Sequence, residues 1–295
     1  MTTVYLNGEF IPKERALISV DDRGFVFGDG IYEVVRSIKG QLIEWYAHAE
    51  RMSRGLNGIK IAFGPAEVAR LQDVCLRLVH DNGLAGGEAT IYLQVTRGAA
   101  PRTHHFPPAG TPPTVFGAAT VFTVPRESRQ NGVRGITYPD FRWTRCDLKT
   151  VNLLGPVLAR QTAAESGAYE AILLRDGVMT EGAATNSFAV IDGVLRTHPL
   201  SNLILPGITR AVIMEILAEL AIPLHERPVT HAELLVATEL FVCGTTTDIT
   251  PIVMLDGVRV GTGQRGPVTA RLQDALTARM YAARPRRLTP SLATV

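Results

Sequence analysis

Short apolar runs interrupted by tight-turn dipeptides constrain this chain more than any other feature. Asn7-Gly8 separates Val4-Tyr5-Leu6 from Glu9-Phe10-Ile11, Lys39-Gly40 separates 31–38 from 41–45, and Asp176-Gly177 and Asp192-Gly193 sit at similar junctions further on. Asn-Gly and Asp-Gly suit the two central positions of a type I′ turn, where both φ angles are positive, and such turns join antiparallel strands. Strands in runs joined by tight turns mean mainly antiparallel sheets, and the class expected is α+β with flanking helices.

The helical pattern interrupts the strands at regular intervals. Apolar spacing predicts helices over 47–56 and 65–80, the second with Val68, Leu71, Val74, Cys75 and Leu78 on one face and Asn82-Gly83 as its stop. A strand over 89–96, a Pro/Gly-rich segment over 97–113 and a strand over 114–124 follow, and the polar, turn-prone 125–132 reads as a linker. The second half predicts a helix over 151–167 with Leu153, Leu154, Val157, Leu158 and Gln161 along one face. A meander over 168–197 comes next, then helices over 208–220, 231–234 and 267–282 and strands over 239–243 and 251–255. The expected organisation is a smaller N-terminal α+β domain over 1–124, the 125–132 linker, a larger α+β domain over 133–285 and a frayed tail over 286–295.

Composition excludes several classes of function. With 46% hydrophobic and 20% charged residues over 295 positions, the chain reads as a folded protein large enough for two domains. Thirty basic against 28 acidic side chains do not supply the basic excess that phosphate-backbone contacts require, so no nucleic acid partner is expected. The lack of a long apolar run or a leader-like start predicts a cytoplasmic protein with no membrane partner. Three widely spaced cysteines form neither a disulfide framework nor a thiolate metal site, and no His-Glu-x-x-His accompanies His104-His105, so no metal is expected. Gly261-Thr-Gly263-Gln-Arg-Gly266 fits the dinucleotide-binding pattern but has no room for a following βαβ unit; it reads as a loop before the last helix.

What remains is a set of polar and glycine-rich segments. Asp22 to Glu33 carries Asp29-Gly30-Ile31-Tyr32-Glu33 at a strand entrance. His48 and Arg51 share one helix face at i,i+3 spacing, which equally suits a solvated face. The segment Arg97-Gly-Ala-Ala-Pro-Arg102-Thr-His104 ends a strand in a basic loop able to offer a guanidinium fork to a carboxylate. Lys149 stands alone before an apolar helix, and Glu181 lies in the small-residue turn Thr180-Glu-Gly-Ala-Ala-Thr-Asn186. Leu205-Pro-Gly-Ile208-Thr209-Arg210 opens a helix whose unpaired N–H groups suit a phosphate, and Thr245-Thr246-Thr247 could add hydroxyl donors.

In this order, the segments resemble the fold-type IV pyridoxal 5'-phosphate enzymes, the class IV family that includes branched-chain aminotransferases, D-amino acid aminotransferases and aminodeoxychorismate lyase. The resemblance covers about 5–252, and the Arg102-Thr103-His104 loop looks most like the D-amino acid aminotransferase branch. It implies a two-domain α+β fold with the cofactor between the domains. It implies that Lys149 is the Schiff-base lysine and proton shuttle, that Glu181 partners the pyridine nitrogen, and that Arg51, Ile208, Thr209 and Thr245 hold the phosphate. Tyr32, Arg102 and His104 would hold the substrate α-carboxylate, the last two reaching in from the other subunit of a homodimer, with Arg97 as a further candidate. The implied reaction is ping-pong transfer of an amino group from a D-amino acid to a 2-oxo acid.

Two departures from the family pattern stand out. Ala183-Ala184 follows the acid where serines are common, and Gly244 precedes the threonine run, each removing a hydroxyl donor and leaving the pocket beside Ala183-Ala184 roomier. The alternatives are therefore an (R)-selective amine transaminase, a branched-chain L-amino acid aminotransferase and, more distantly, aminodeoxychorismate lyase.

Overall fold

The computed structural model describes residues 2–282; the expected tail over 286–295 lies outside them. The chain divides into two compact units, the first made of Met1–Thr123 with Leu148–Asn152 and the second of the remainder.

The first unit contains β1 (Thr3–Leu6), β2 (Glu9–Pro12), α1 (Arg23–Phe27), β3 (Gly30–Ile38), β4 (Gln41–Leu42), α2 (Trp45–Gly58), α3 (Pro65–Asp81), β5 (Glu88–Thr96) and β6 (Thr114–Val121). Its six strands form an antiparallel sheet in the order β2-β1-β6-β5-β3-β4. Asn7 and Gly8 have φ of 48° and 101°, and Lys39 and Gly40 of 48° and 77°, so both turns take the left-handed geometry that their sequences favour. The apolar faces of α2 and α3 cover the sheet, with Met52, Leu56, Leu71, Cys75 and Leu78 packed on Ile31, Val35, Ile91 and Leu93. The segment entering β3, expected as a loop, holds the short helix α1. The Asp22 side chain accepts the Gly24 N–H and caps it, and Gly28 ends it at φ 68°.

The second unit contains α4 (Arg126–Asn131), β7 (Val133–Pro139), α5 (Leu154–Glu165), β8 (Glu170–Arg175), β9 (Val178–Gly182), β10 (Asn186–Ile191), β11 (Val194–Thr197), α6 (Ile208–Glu219), β12 (Leu224–Glu226), β13 (Val229–Thr230), α7 (His231–Leu235), β14 (Glu239–Gly244), β15 (Asp248–Leu255), β16 (Val258–Arg259) and α8 (Pro267–Met280). These strands form one sheet in the order β12-β11-β10-β14-β15-β7-β8-β9-β13, with β16 beside β15. Most pairs are antiparallel; β7 runs parallel to both β8 and β15, and β11 to β12.

Several expectations are corrected. The 125–132 segment is not a loose linker: α4 occupies most of it, and Arg129 bonds Asp248 and Thr277 while its carbonyl accepts from Gln273. Polar composition misled there because its polar groups are paired inside the second unit. The helix expected from 151 begins at Leu154, and its buried face is Ala159 and Ala163, whereas Leu154, Val157 and Leu158 are exposed. Lys149, expected on the C-terminal domain, belongs by contact to the first unit, since its segment pairs with β3 through Thr150 and Ile31. The three cysteines are free and buried; burial raises all three thiols, Cys146 to about 11 and Cys243 to about 12, so none is a thiolate at neutral pH. Among the described residues no helix is long and apolar enough to cross a membrane, and no cluster suits a metal ion.

Candidate active site

In the first unit the alternation of β3 sorts its side chains. Ile31, Glu33 and Val35 share the face that α2 covers, and Tyr32 points to the other. The Lys149 carbonyl accepts the Tyr32 N–H at 3.0 Å, and Val151 donates to Gly30 at 3.0 Å, which fixes the lysine beside this strand. Lys149 Nζ then donates to the Tyr32 hydroxyl at 3.2 Å and lies 4.2 Å from its ring centroid. A half-buried lysine over a tyrosine ring is not the surface charge that a lone lysine usually is.

Behind that strand face lies a buried ionic cluster. Glu33 is 1% exposed and meets Arg51 Nε and Nη2, both at 2.7 Å, and His48 Nδ1 at 2.8 Å. The solvated-face alternative for His48 and Arg51 is therefore wrong; their i,i+3 spacing aims both at one carboxylate. Burial alone would raise the Glu33 carboxyl, but Arg51 and His48 bring it well below the usual carboxylate range. Burial lowers His48, and Arg51 and Lys149 lower it further against the pull of Glu33, so the imidazole is neutral near pH 7.

The basic loop is anchored differently from expectation. Arg97 donates from Nε and Nη2 to Asp29 at 2.7 and 2.9 Å, and to the carbonyls of Lys60 and Ile59 at 2.8 and 2.6 Å. All of its nitrogens are engaged inside the unit, so Arg97 is not available as a carboxylate ligand. Arg102 and His104 are exposed and lie against Phe27, at 5.3 Å from the guanidinium carbon and 5.7 Å between ring centroids. Neither bonds to Tyr32 or Lys149 among the described residues.

In the second unit four sequence segments converge. Glu181, at the end of β9, is 3% exposed and accepts from Arg142 Nη1 at 2.5 Å, Asn186 Nδ2 at 2.8 Å and the Leu205 N–H at 3.0 Å. Asn186 opens β10 opposite Cys243 of β14, which brings the Gly244–Thr245 turn alongside. Gly207 packs so closely on Asn186 that a Cβ there would stand 2.0 Å from Oδ1, and α6 begins at the next residue with Ile208 and Thr209. Burial raises the Glu181 carboxyl against the pull of Arg142 and the Leu205 N–H. Burial also works against the Arg142 charge, which Glu181 and Asp140 more than restore. The room expected beside Ala183 is absent: its side chain is 5% exposed and packs with Ala159, Ala163, Ala171 and Leu173, while Ala184 is exposed.

Arg142 and Asp140 escaped the sequence reading. Arg142 is a lone arginine with no motif around it, and only the fold brings its Asp140-paired guanidinium to Glu181. Glu33 had a usable signal. It stands in register with Ile31 and Val35 on an apolar strand face, where an acid needs a basic partner.

Residues 30–255 match the model of the family described as amino-transferase class IV. The chain is 43% identical over 274 residues to D-alanine aminotransferase from Staphylococcus haemolyticus, covering 93% of this chain and 96% of that one. Among solved structures it is similar to branched-chain amino acid aminotransferase from Escherichia coli, with a TM-score of 0.86, 28% identity and coverage of 95% and 94%. It is also similar to the branched-chain aminotransferase from the thermophilic archaeon Thermoproteus uzoniensis with norvaline, with a TM-score of 0.85, 28% identity and coverage of 95% and 94%.

Proposed function

Because the chain belongs to the class IV aminotransferases, we propose that it transfers the amino group of a D-amino acid of the D-alanine type to a 2-oxo acid, using pyridoxal 5'-phosphate. The observation that carries the D-amino acid reading is its 43% identity to a D-alanine aminotransferase, against 28% to the branched-chain structures.

The residues present fit the cofactor. A carboxylate has about four acceptor sites. Three donors reach Glu181, so one site is left for the pyridinium N–H. Asn186 and the Leu205 N–H fix the carboxylate's orientation, and burial increases its hold on a proton. The start of α6 offers the unpaired N–H groups of Ile208 and Thr209 with the positive end of the helix dipole, and Thr209 and Thr245 add hydroxyls for a phosphate. Arg51 supplies a cation for the same phosphate, its side chain set by Glu33.

Pyridoxal phosphate, when bound, supplies an electrophilic carbonyl and a protonated ring that stabilises negative charge at the substrate Cα. Lys149 holds that group covalently through Nζ and, once displaced by the incoming amine, takes the proton from Cα at the same nitrogen and returns it on the other side of the bond system. Tyr32, bonded to Nζ, orients the lysine and faces the carboxylate end of the substrate. Arg102 and His104 donate to the α-carboxylate, a task for which their exposure leaves them suited. They act in the other protomer of a homodimer; the exposed apolar face of Leu154, Val157 and Leu158, with Phe141 at 77% exposure, is surface that a second copy would cover. The enzyme works in the cytoplasm in this reading.

The test is the visible spectrum of the cofactor-loaded protein before and after D-alanine, with L-leucine and (R)-1-phenylethylamine in parallel. Bleaching chiefly by D-alanine is the expected result. Bleaching by L-leucine instead would favour the branched-chain alternative, bleaching by the amine the amine transaminase, and pyruvate release without an acceptor the lyase. Sedimentation of the purified protein as a monomer at micromolar concentration would remove the homodimer.

A further inference from the structure

Outside the residues already assigned, the densest polar construction of the first unit joins the β3 entrance to the basic loop. Asp29 sits between two guanidinium groups, taking Arg23 Nε at 2.9 Å and Arg97 Nε at 2.7 Å. These side chains are 12%, 4% and 9% exposed, so the cluster carries a largely desolvated net positive charge. From that anchor Arg23 reaches across 80 positions of sequence to donate from Nη1 to the Thr103 carbonyl at 2.7 Å. Thr103 is the residue between Arg102 and His104.

The backbone reinforces the same junction. Asp22 bridges Ala99, Arg23 donates its N–H to the Gly98 carbonyl at 2.9 Å, and Ala100 donates to Asp21 at 3.2 Å. Gly98 has φ of 86°, and a Cβ there would meet the Pro112 carbonyl at 2.0 Å, so the loop closes tightly at its base. Phe27 completes the arrangement: its ring faces the Arg23 guanidinium at 4.7 Å and carries Arg102 and His104 on its other contacts.

We propose that Arg23, held by Asp29, is a positioning residue for carboxylate recognition: it fixes the Thr103 carbonyl and, with the Phe27 ring, presents Arg102 and His104 as one preformed cationic fork. The inference rests on the reading that Arg102 and His104 receive the substrate carboxylate. A preformed fork binds a carboxylate without first ordering two long side chains on an exposed loop, which is where affinity for the substrate would otherwise be lost. Arg23 touches neither substrate nor cofactor in this account.

The experiment compares the loaded wild-type enzyme with Arg23→Met, Arg23→Lys, Phe27→Leu and Arg102→Ala, reading KM and kcat for D-alanine and hydrogen exchange over residues 98–106. Loss of a charge-assisted bond of this kind corresponds to a KM rise of about tenfold for Arg23→Met, with kcat within about threefold of wild type. Exchange over the loop rises, and Arg23→Lys, which keeps one donor, recovers part of both. An unchanged KM, unchanged loop exchange, or a fall in kcat at constant KM would overturn the proposal. If Arg23→Met does not fold, Phe27→Leu decides by the same two readouts. Arg102→Ala separates the two failures: if it leaves KM unchanged the carboxylate reading falls and takes this inference with it, whereas if it raises KM while Arg23→Met does not, this inference alone is wrong.

Discussion

Arg51 grips Glu33 with two parallel bonds of 2.7 Å, one from Nε and one from Nη2, in a site where neither side chain is more than 5% exposed. A carboxylate there stabilises two buried basic groups, Arg51 and His48. Glu33→Gln keeps the shape and removes the anion. Breaking a buried pair from one side costs about 3 kcal/mol, so the variant should unfold at clearly lower denaturant concentration and bind the cofactor less tightly. A denaturation midpoint and cofactor affinity equal to wild type would show that the pair is not an organising element.

His48 gives the fold an acid-side weakness. The folded state holds it neutral, below its ordinary value of 6.5. As pH falls below that value the unfolded chain gains a proton that the folded chain refuses, so the contribution is fully present above it and lost progressively below. His48→Asn should flatten the decline in stability between about pH 7 and pH 5.5, by up to about 1.4 kcal/mol per pH unit. Denaturation curves for both proteins at the two ends of that window check it; parallel declines would mean that His48 is not the titrating group.

Gly207 tests the second unit's cradle. A methyl group at this position would drive Asn186 Oδ1 away, and Asn186 Nδ2 is what bonds both Glu181 and the Leu205 carbonyl. Gly207→Ala is expected to lower stability by about 1–3 kcal/mol through those lost bonds and to weaken cofactor retention on dialysis. Full retention of the cofactor by the variant would argue that Glu181 does not depend on Asn186.

Tyr32→Phe removes the hydrogen bond from Lys149 Nζ while leaving the ring beneath it. Losing a bond to a charged donor is worth about 1.5 kcal/mol or more, a tenfold change. The expected outcome is a kcat reduced about tenfold at undiminished cofactor occupancy, measured by absorbance of the loaded protein and by single-turnover bleaching with D-alanine. A variant with wild-type turnover would remove Tyr32 from the proton-transfer step.

Much of this was legible before any coordinates. Turn dipeptides located the hairpins because positive φ is a local requirement that few residues meet, and Asn7, Lys39, Asp176 and Asp192 all take it. The segments around Lys149, Glu181, Ile208-Thr209 and Thr245 were visible as an ordered set, and in the second unit Glu181, Gly207–Thr209 and Gly244–Thr245 do meet around Asn186. Arg97 was misjudged because sequence shows a guanidinium but not what neutralises it. Asp29 and two backbone carbonyls already use its donors. Apolar spacing along 153–161 was read as a buried face for the same reason: periodicity identifies an apolar stripe but not what covers it.

What the sequence by itself determined is whatever depends on near neighbours: the turns, the strand alternation that puts Glu33 behind Tyr32, the i,i+3 pairing of His48 with Arg51, and the glycine before α6. The tertiary structure alone decided which charges meet. Arg142 reaches Glu181 across 39 positions, Arg23 reaches Thr103 across 80, and Lys149 reaches Tyr32 across 117. A buried charge is tolerated only opposite its partner, and which partner arrives is set by how strands and loops stack in space, a property no local spacing records.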